Sequence, residues 1–186
     1  MSEQLTSLNK AIKKKFSSKK LIFGRGLEAA KIVFVSEMPG PDEHKEQKPI
    51  AGQHEKTLNR LLKTAGIDKR RVYMTNVIKY SPDINKAFTF KEIKASLPFL
   101  KEELKTIQPD IVVTLGNIAL NGIGMRQPLD NVHGKVFNLG SFELFPTFHP
   151  KDSGDPDVKM YIESDFMKLR EILKAKKNPP KEEDDF

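Results

Sequence analysis

Two apolar runs, Ile32–Val35 and Ile111–Leu115, the second broken only by Thr114, most constrain what this chain can fold into. Neither alternates polar with apolar, so each reads as a strand buried on both faces. Each is followed by a turn signal, Pro39-Gly40 after the first and Gly116 after the second. Val72–Ile78 is a third strand-like run. Between the strands, apolar residues recur at helical spacing. Leu58, Leu61 and Leu62 mark a helix over His54–Ala65, with Gly66 as its stop. Thr89 and Glu92 form a capping box that opens a helix to about Ile107, striped by Leu97, Leu100 and Leu104. Pro98 predicts a break or kink within it. Asn117–Ile123 reads as a short helix, and Val136–Leu139 with Glu143–Phe145 as a hairpin. Val158–Lys176 reads as a closing helix with Ile162, Phe166, Leu169 and Leu173 on one face. Strands that alternate with helices imply an α/β fold with a mostly parallel sheet covered on both faces.

A length of 186 residues, 38% of them hydrophobic, suits one domain with a real core. The expected organisation is a basic arm or short helix over 1–20, a single domain over 21–177, and a disordered acidic tail over 178–186. No apolar run approaches the ~20 residues of a membrane span. No apolar segment follows Lys13–Lys15, so a signal peptide is not expected and a cytoplasmic, reducing location is. The chain has no cysteine, which excludes disulfides, thiolate nucleophiles and cysteine-held zinc or iron–sulfur centres. His44, His54, His133 and His149 fit no standard zinc spacing and read as scattered histidines. The net charge of +7 sits against an acidic C-terminus, so the rest of the chain is more basic still. That balance suits either a polyanionic partner, nucleic acid first, or a solvated basic surface.

Several strand ends carry chemistry-bearing residues. IVFVSEMPG (Ile32–Gly40) ends in a turn whose backbone N–H groups could hold an anion. MTNVIKY (Met74–Tyr80) delivers the Asn76 amide, which can read a donor–acceptor edge. PTFHP (Pro146–Pro150) delivers the His149 imidazole. Taken singly, each suits an ordinary turn, a structural asparagine or a structural histidine.

Together and in order, these blocks resemble the uracil-DNA glycosylases, in particular their iron–sulfur class, family four. The resemblance runs from Leu21 to Pro150, through FVSEMPGPDEHKEQKPIAGQHEKTLNRLLKTAGI, VYMTNVIKYSP, PDIVVTLGNIAL and LFPTFHP. It implies a three-layer α/β/α fold around a mostly parallel four-stranded sheet. It also implies an enzyme of base excision repair that flips uracil out of DNA and hydrolyses its N-glycosidic bond. In that picture Asn76 reads the N3 and O4 edge of uracil. His149 donates to O2 as charge develops, most effectively if neutral. Backbone N–H groups near Glu37 and Met38, in the turn closed by Gly40, complete the oxyanion site. The Glu37 carboxylate positions water or steadies the cationic sugar, and Gly52 lets the backbone approach closely. Lys79, Lys151 and Ser153 are the implied DNA contacts, and the partner is uracil-containing DNA, single- or double-stranded, bound by a monomer.

The chain also departs from the pattern. The cluster cysteines would fall at Tyr80, at Ser96 and in the N-terminal arm, so neither a cluster nor any other cofactor or metal is expected. Ile50 stands where the family has a phenylalanine that stacks on uracil, a contact worth ~1–3 kcal/mol. Ser36 replaces a glycine, and Lys151-Asp152 replaces the residues after the second motif. These changes leave open an alternative: a weak or inactive glycosylase fold kept as a DNA-binding or protein-interaction module. A nucleotide-binding protein of another kind would need a phosphate loop, which the sequence lacks. The purified protein is expected to be colourless, and an iron-derived visible absorbance band would contradict that expectation.

Overall fold

The computed structural model describes residues 2–83 and 86–177. In chain order the elements are α1 (Glu3–Lys15), β1 (Arg25–Gly26), β2 (Ile32–Ser36), α2 (Pro41–Glu46), α3 (Gly52–Thr64), β3 (Val72–Asn76), α4 (Phe90–Ile107), β4 (Ile111–Leu115), α5 (Asn117–Gly122), α6 (Leu129–Val132), β5 (Phe137–Asn138), β6 (Glu143–Thr147) and α7 (Pro156–Lys177). A short 3-10 turn, Pro150–Gly154, joins β6 to α7. The sheet order is β1-β3-β2-β4-β6-β5. The middle four strands are parallel, as the apolar runs imply, and two-residue antiparallel strands extend each edge. The sheet therefore has six strands, not four: β5 is the first strand of the hairpin expected over Val136–Phe145, and β1 is too short to leave a periodic signal in the sequence.

Alternation along each strand feeds two apolar layers. Val33 and Val35 of β2 join a core cluster with Leu100 and Leu104 of α4. Phe34 points the other way, into a cluster with Leu58, Leu61 and Leu62 of α3 and Phe166 and Leu169 of α7. Both faces are thus covered, which is why the two central runs are almost wholly apolar, Thr114 being the exception within β4.

The segment over 1–20, expected as a basic arm or short helix ahead of the domain, is α1, and it packs into the core. Leu5, Leu8 and Ile12 fall on one face, and all are buried with Leu100, Leu104 and Ile107 of α4. The Ser2 hydroxyl accepts from the Leu5 N–H at 3.3 Å and caps the helix. Beyond its end, Phe16 packs on Tyr80 and Phe99 at 5.1 and 5.8 Å between ring centroids, and Tyr80 packs edge-on against Phe88. The lysines mask this apolar stripe in the sequence. The tail over 178–186 lies outside the described residues.

α4 runs through Pro98 without the expected break. Pro98 lies on its solvent face, where water can satisfy the carbonyl left without an N–H. At the inner face of α4, Glu103 meets Lys79, and the two side chains are each 3% exposed with Nζ 2.6 Å from the carboxylate. Tyr73 and Thr75 of β3 also donate to Glu103, at 2.8 and 3.0 Å. Lys79 donates further to the Thr75 hydroxyl and to the Asn76 carbonyl oxygen. Every charge in the cluster therefore has a partner, as a buried pair requires. Lys79 was expected at a DNA phosphate, but it is spent inside the fold and cannot reach one. Removing one member leaves a buried unpaired charge. Glu103→Ala is expected to lower the unfolding free energy by about 3–5 kcal/mol in urea titration. Glu102→Ala on the exposed face should change it by less than about 0.5 kcal/mol.

Candidate active site

The four parallel strands end at one edge of the sheet, at Ser36, Asn76, Leu115 and Thr147. In α/β sheets this carboxyl edge is where ligands are held. A cleft of about 720 Å³ opens there, lined by Ser36 through Pro41, Pro49, Ser81, His149 and Lys151 among others.

His149 follows β6 and is buried, 6% exposed. Its Nδ1 accepts the Lys151 backbone N–H at 3.0 Å. The proton of a neutral ring must then sit on Nε2, which lies 2.8 Å from the Ser36 hydroxyl. Burial, aided by the nearby Lys151 and His54 charges, depresses the imidazole pKa from 6.5 to about 3. The ring is therefore neutral at physiological pH.

Glu37 follows β2 and is also buried. One carboxylate oxygen accepts the Ile118 N–H at 3.2 Å, and the other meets Lys151 Nζ at 2.5 Å. Gly116, at φ +96°, makes room for this carboxylate, because a Cβ there would run into it. The residue type at that turn is thus set by Glu37 as much as by the backbone angle.

Asn76 ends β3 in register with Ser36, so the two side chains leave the sheet on one face. It is 1% exposed. Its Nδ2 donates to the Pro49 carbonyl oxygen at 3.0 Å, which fixes the orientation of the amide. Oδ1 is buried with no partner among the described residues. A buried acceptor left unpaired costs about 1–3 kcal/mol, and Asn76 itself lies behind the cleft lining, next to Pro49 and Ser36, which do line it.

Met38 and Gly40 line the cleft as expected, Gly40 as the N-cap of α2. Ile50 does not. It is 3% exposed and packs among Leu58, Leu61 and Phe34, while its neighbour Pro49 faces the cleft. A short branched side chain is better buried in that apolar layer than laid on a polar rim. Gly52 also lies outside the lining. At φ +58° it starts α3, and a Cβ would strike the Asp42 carboxylate. Lys151 points inward to Glu37, although its side chain keeps partial solvent access. Ser153 donates to the Pro150 carbonyl oxygen within the 3-10 turn and does not line the cleft.

The sequence reading missed the gathering of histidines. His44 and His54 line the same cleft as His149. His44 Nε2 lies 2.7 Å from the Ser81 hydroxyl, which itself donates to Pro39 O, and the His54 ring stands edge-on to His149 at 5.6 Å. Their separation in sequence gave no metal-like spacing, and only the packing of α2 and α3 beside the end of β6 brings them together. Among the described residues no group of three or more His, Asp or Glu side chains could hold a metal ion.

The protein is thus a parallel α/β sheet that carries a carboxamide, a neutral imidazole and a carboxylate at its carboxyl edge. The family model of the uracil DNA glycosylase superfamily matches residues 23–155, and the chain belongs to that superfamily. It is 34% identical over 160 residues to a type-4 uracil-DNA glycosylase of Sulfurisphaera tokodaii, covering 80% of this chain and 73% of that one. It is 31% identical over 169 residues to the type-4 uracil-DNA glycosylase of Saccharolobus solfataricus, covering 85% and 78%. A DNA polymerase of Bacillus phage SP01 is 30% identical over 155 residues, covering 82% of this chain but 17% of the polymerase.

The type-4 resemblance implies an iron–sulfur cluster, and the residues here do not fit one. No thiolate exists in the sequence. Tyr80, expected at one ligand position, packs in the ring cluster of Phe16, Phe88 and Phe99. Ser96, expected at another, donates to the Glu92 carbonyl oxygen within α4.

The imidazole of the unfolded chain takes a proton near pH 6.5, but the folded ring does so only near about 3. The stability that His149 contributes is therefore complete above about 6.5 and is lost as the pH falls toward 3. Long-range proton–nitrogen NMR is expected to show His149 as the neutral Nε2–H form from about pH 8 down to about pH 5. A doubly protonated ring in that range would contradict the geometry.

Proposed function

We propose that this chain is a uracil-DNA glycosylase, hydrolysing the bond between uracil and deoxyribose in DNA and leaving an abasic site. One observation carries the reading: the buried Asn76 amide keeps an unpaired Oδ1 at the carboxyl edge, on the face it shares with Ser36 and His149. Uracil offers N3–H as a donor and O4 as an acceptor. The amide matches both through Oδ1 and the second Nδ2 hydrogen, and cytosine reverses that pattern.

The base enters flipped out of the strand. As the bond from C1′ to N1 lengthens, its electron pair moves onto the base and spreads to O2. The sugar gains cationic character. A neutral donor on the His149 side of the cleft stabilises the O2 charge without a charged group buried beforehand. Glu37 faces the opposite charge. Its carboxylate steadies the sugar and orients the water that adds to C1′; as the new bond forms the water's proton passes to Glu37 and on to solvent, and the uracil anion takes up a proton from solvent. Lys151 limits the free lone pairs of Glu37 until DNA draws it toward a phosphate. The partner is DNA, bound by a monomer, and the reaction belongs to base excision repair.

A second reading, a DNA-binding module without chemistry, is favoured by that same Lys151–Glu37 pair, which occupies the carboxylate. Single-uracil oligonucleotides, single- and double-stranded, followed by alkali, separate the two. Strand cleavage is expected, with Asn76→Ala and His149→Ala slower by roughly a hundredfold or more. DNA bound but uncut at large protein excess would select the binding module.

A further inference from the structure

We propose that the Ser36 hydroxyl is the donor that meets the departing base, and that His149 acts through it. This rests on the glycosylase reading above and goes beyond it in naming the contacting group. The sequence marked Ser36 only as a departure from a glycine. Among the described residues the Ser36 hydroxyl is the one hydrogen-bond partner of His149 Nε2, at 2.8 Å.

The hydrogen-bond directions leave one solution. His149 Nδ1 accepts from the Lys151 backbone, so Nε2 carries the ring proton and donates to Ser36 Oγ. Ser36 Oγ is then an acceptor in that contact, and its own O–H must point elsewhere. Among the described residues it has no second hydrogen-bond partner. Ser36 lines the cleft, so the free O–H has the cleft to point into. Ser36 and His149 both line the cleft, so a base carbonyl that reaches the Ser36 side meets a hydroxyl already backed by the imidazole N–H.

The chain Nε2–H to Oγ–H to base O2 aligns two hydrogen bonds in one direction, and each polarises the next. The hydroxyl alone is a modest donor. Backed by the imidazole N–H, it loses little when it gives its hydrogen to a developing anion. No charge is present before the bond breaks. Ser36 is also well fixed, because it ends β2 in register with Asn76 and its carbonyl oxygen accepts the Val77 N–H at 2.9 Å. Asn76 and Ser36 thus stand on adjacent strands with their side chains on one face, one suited to the N3 and O4 edge of the base and the other to O2. In this arrangement Ser36 is the catalytic residue, and His149 is the residue that positions and polarises it.

The test is single-turnover release of uracil from a single-stranded oligonucleotide by the full chain. Ser36→Ala is expected to slow release by roughly 10²–10³-fold, with the DNA dissociation constant unchanged. Ser36→Thr, which keeps a hydroxyl, should recover much of the rate. The Ser36→Ala/His149→Ala double variant should be no slower than the slower single one, because the two act as one unit. Ser36→Ala or Ser36→Gly as fast as the unmodified chain, or losses that multiply in the double variant, would overturn the relay. Absence of uracil release by the unmodified chain overturns the glycosylase reading itself, a result distinct from failure of the relay alone.

Discussion

Four parallel strands ending level with one another are the constraint on which the rest of this structure depends. The ladder pairs Ser36 with Asn76 and Leu115 with Thr147. The residues that follow these ends, Glu37, Gly116 and His149, are thereby carried to one rim although they are distant in sequence. Because side chains alternate, a slip of one residue in β2 or β3 would turn Ser36 or Asn76 to the other face. The packing that prevents a slip is the two-sided burial of Val33, Phe34 and Val35. Core packing and site geometry are the same fact seen from two sides.

Polar groups at this edge are handled in three ways. Lys79 and Glu103 are buried as a fully partnered pair that ties β3 to α4. His149 is buried without a charge, its ring bonded through both nitrogens. Glu37 keeps its charge, held by a backbone N–H and by the inward-turned Lys151. Asn76 Oδ1 alone is left without a partner among these groups. Unpaired buried acceptors are costly, and among the described residues His44 Nδ1 and Thr114 Oγ1 share this state.

Much of the frame was legible beforehand. The apolar runs marked β2 and β4, the capping box marked the start of α4, and Gly66 marked the end of α3. The strand-end motifs pointed to Glu37, Asn76 and His149, and all three lie at the carboxyl edge. Other residues were misplaced for identifiable reasons. Lys79 looked like a surface cation because nothing local reveals Glu103, 24 residues away, as its partner. Ile50 looked like a pocket wall because its position was aligned by spacing, whereas its burial is set by α3 and α7. The segment of α1 looked like either an arm or a short helix because its lysines outnumber the three apolar residues that hold it. His44 and His54 carried no signal, since their neighbourhood exists only once α2 and α3 pack beside the end of β6.

By itself the sequence determined the class of fold, the order of its strands and helices, the family, and the absence of any thiolate ligand. These follow from local patterns, from motifs in order and from composition, none of which needs coordinates. Tertiary structure alone decided which charges are spent and which are free. It set Lys151 on Glu37, Lys79 on Glu103 and the His149 N–H on Ser36. Hydrogen-bond direction and burial depend on what lies across the fold, and that information enters only when distant strand ends meet.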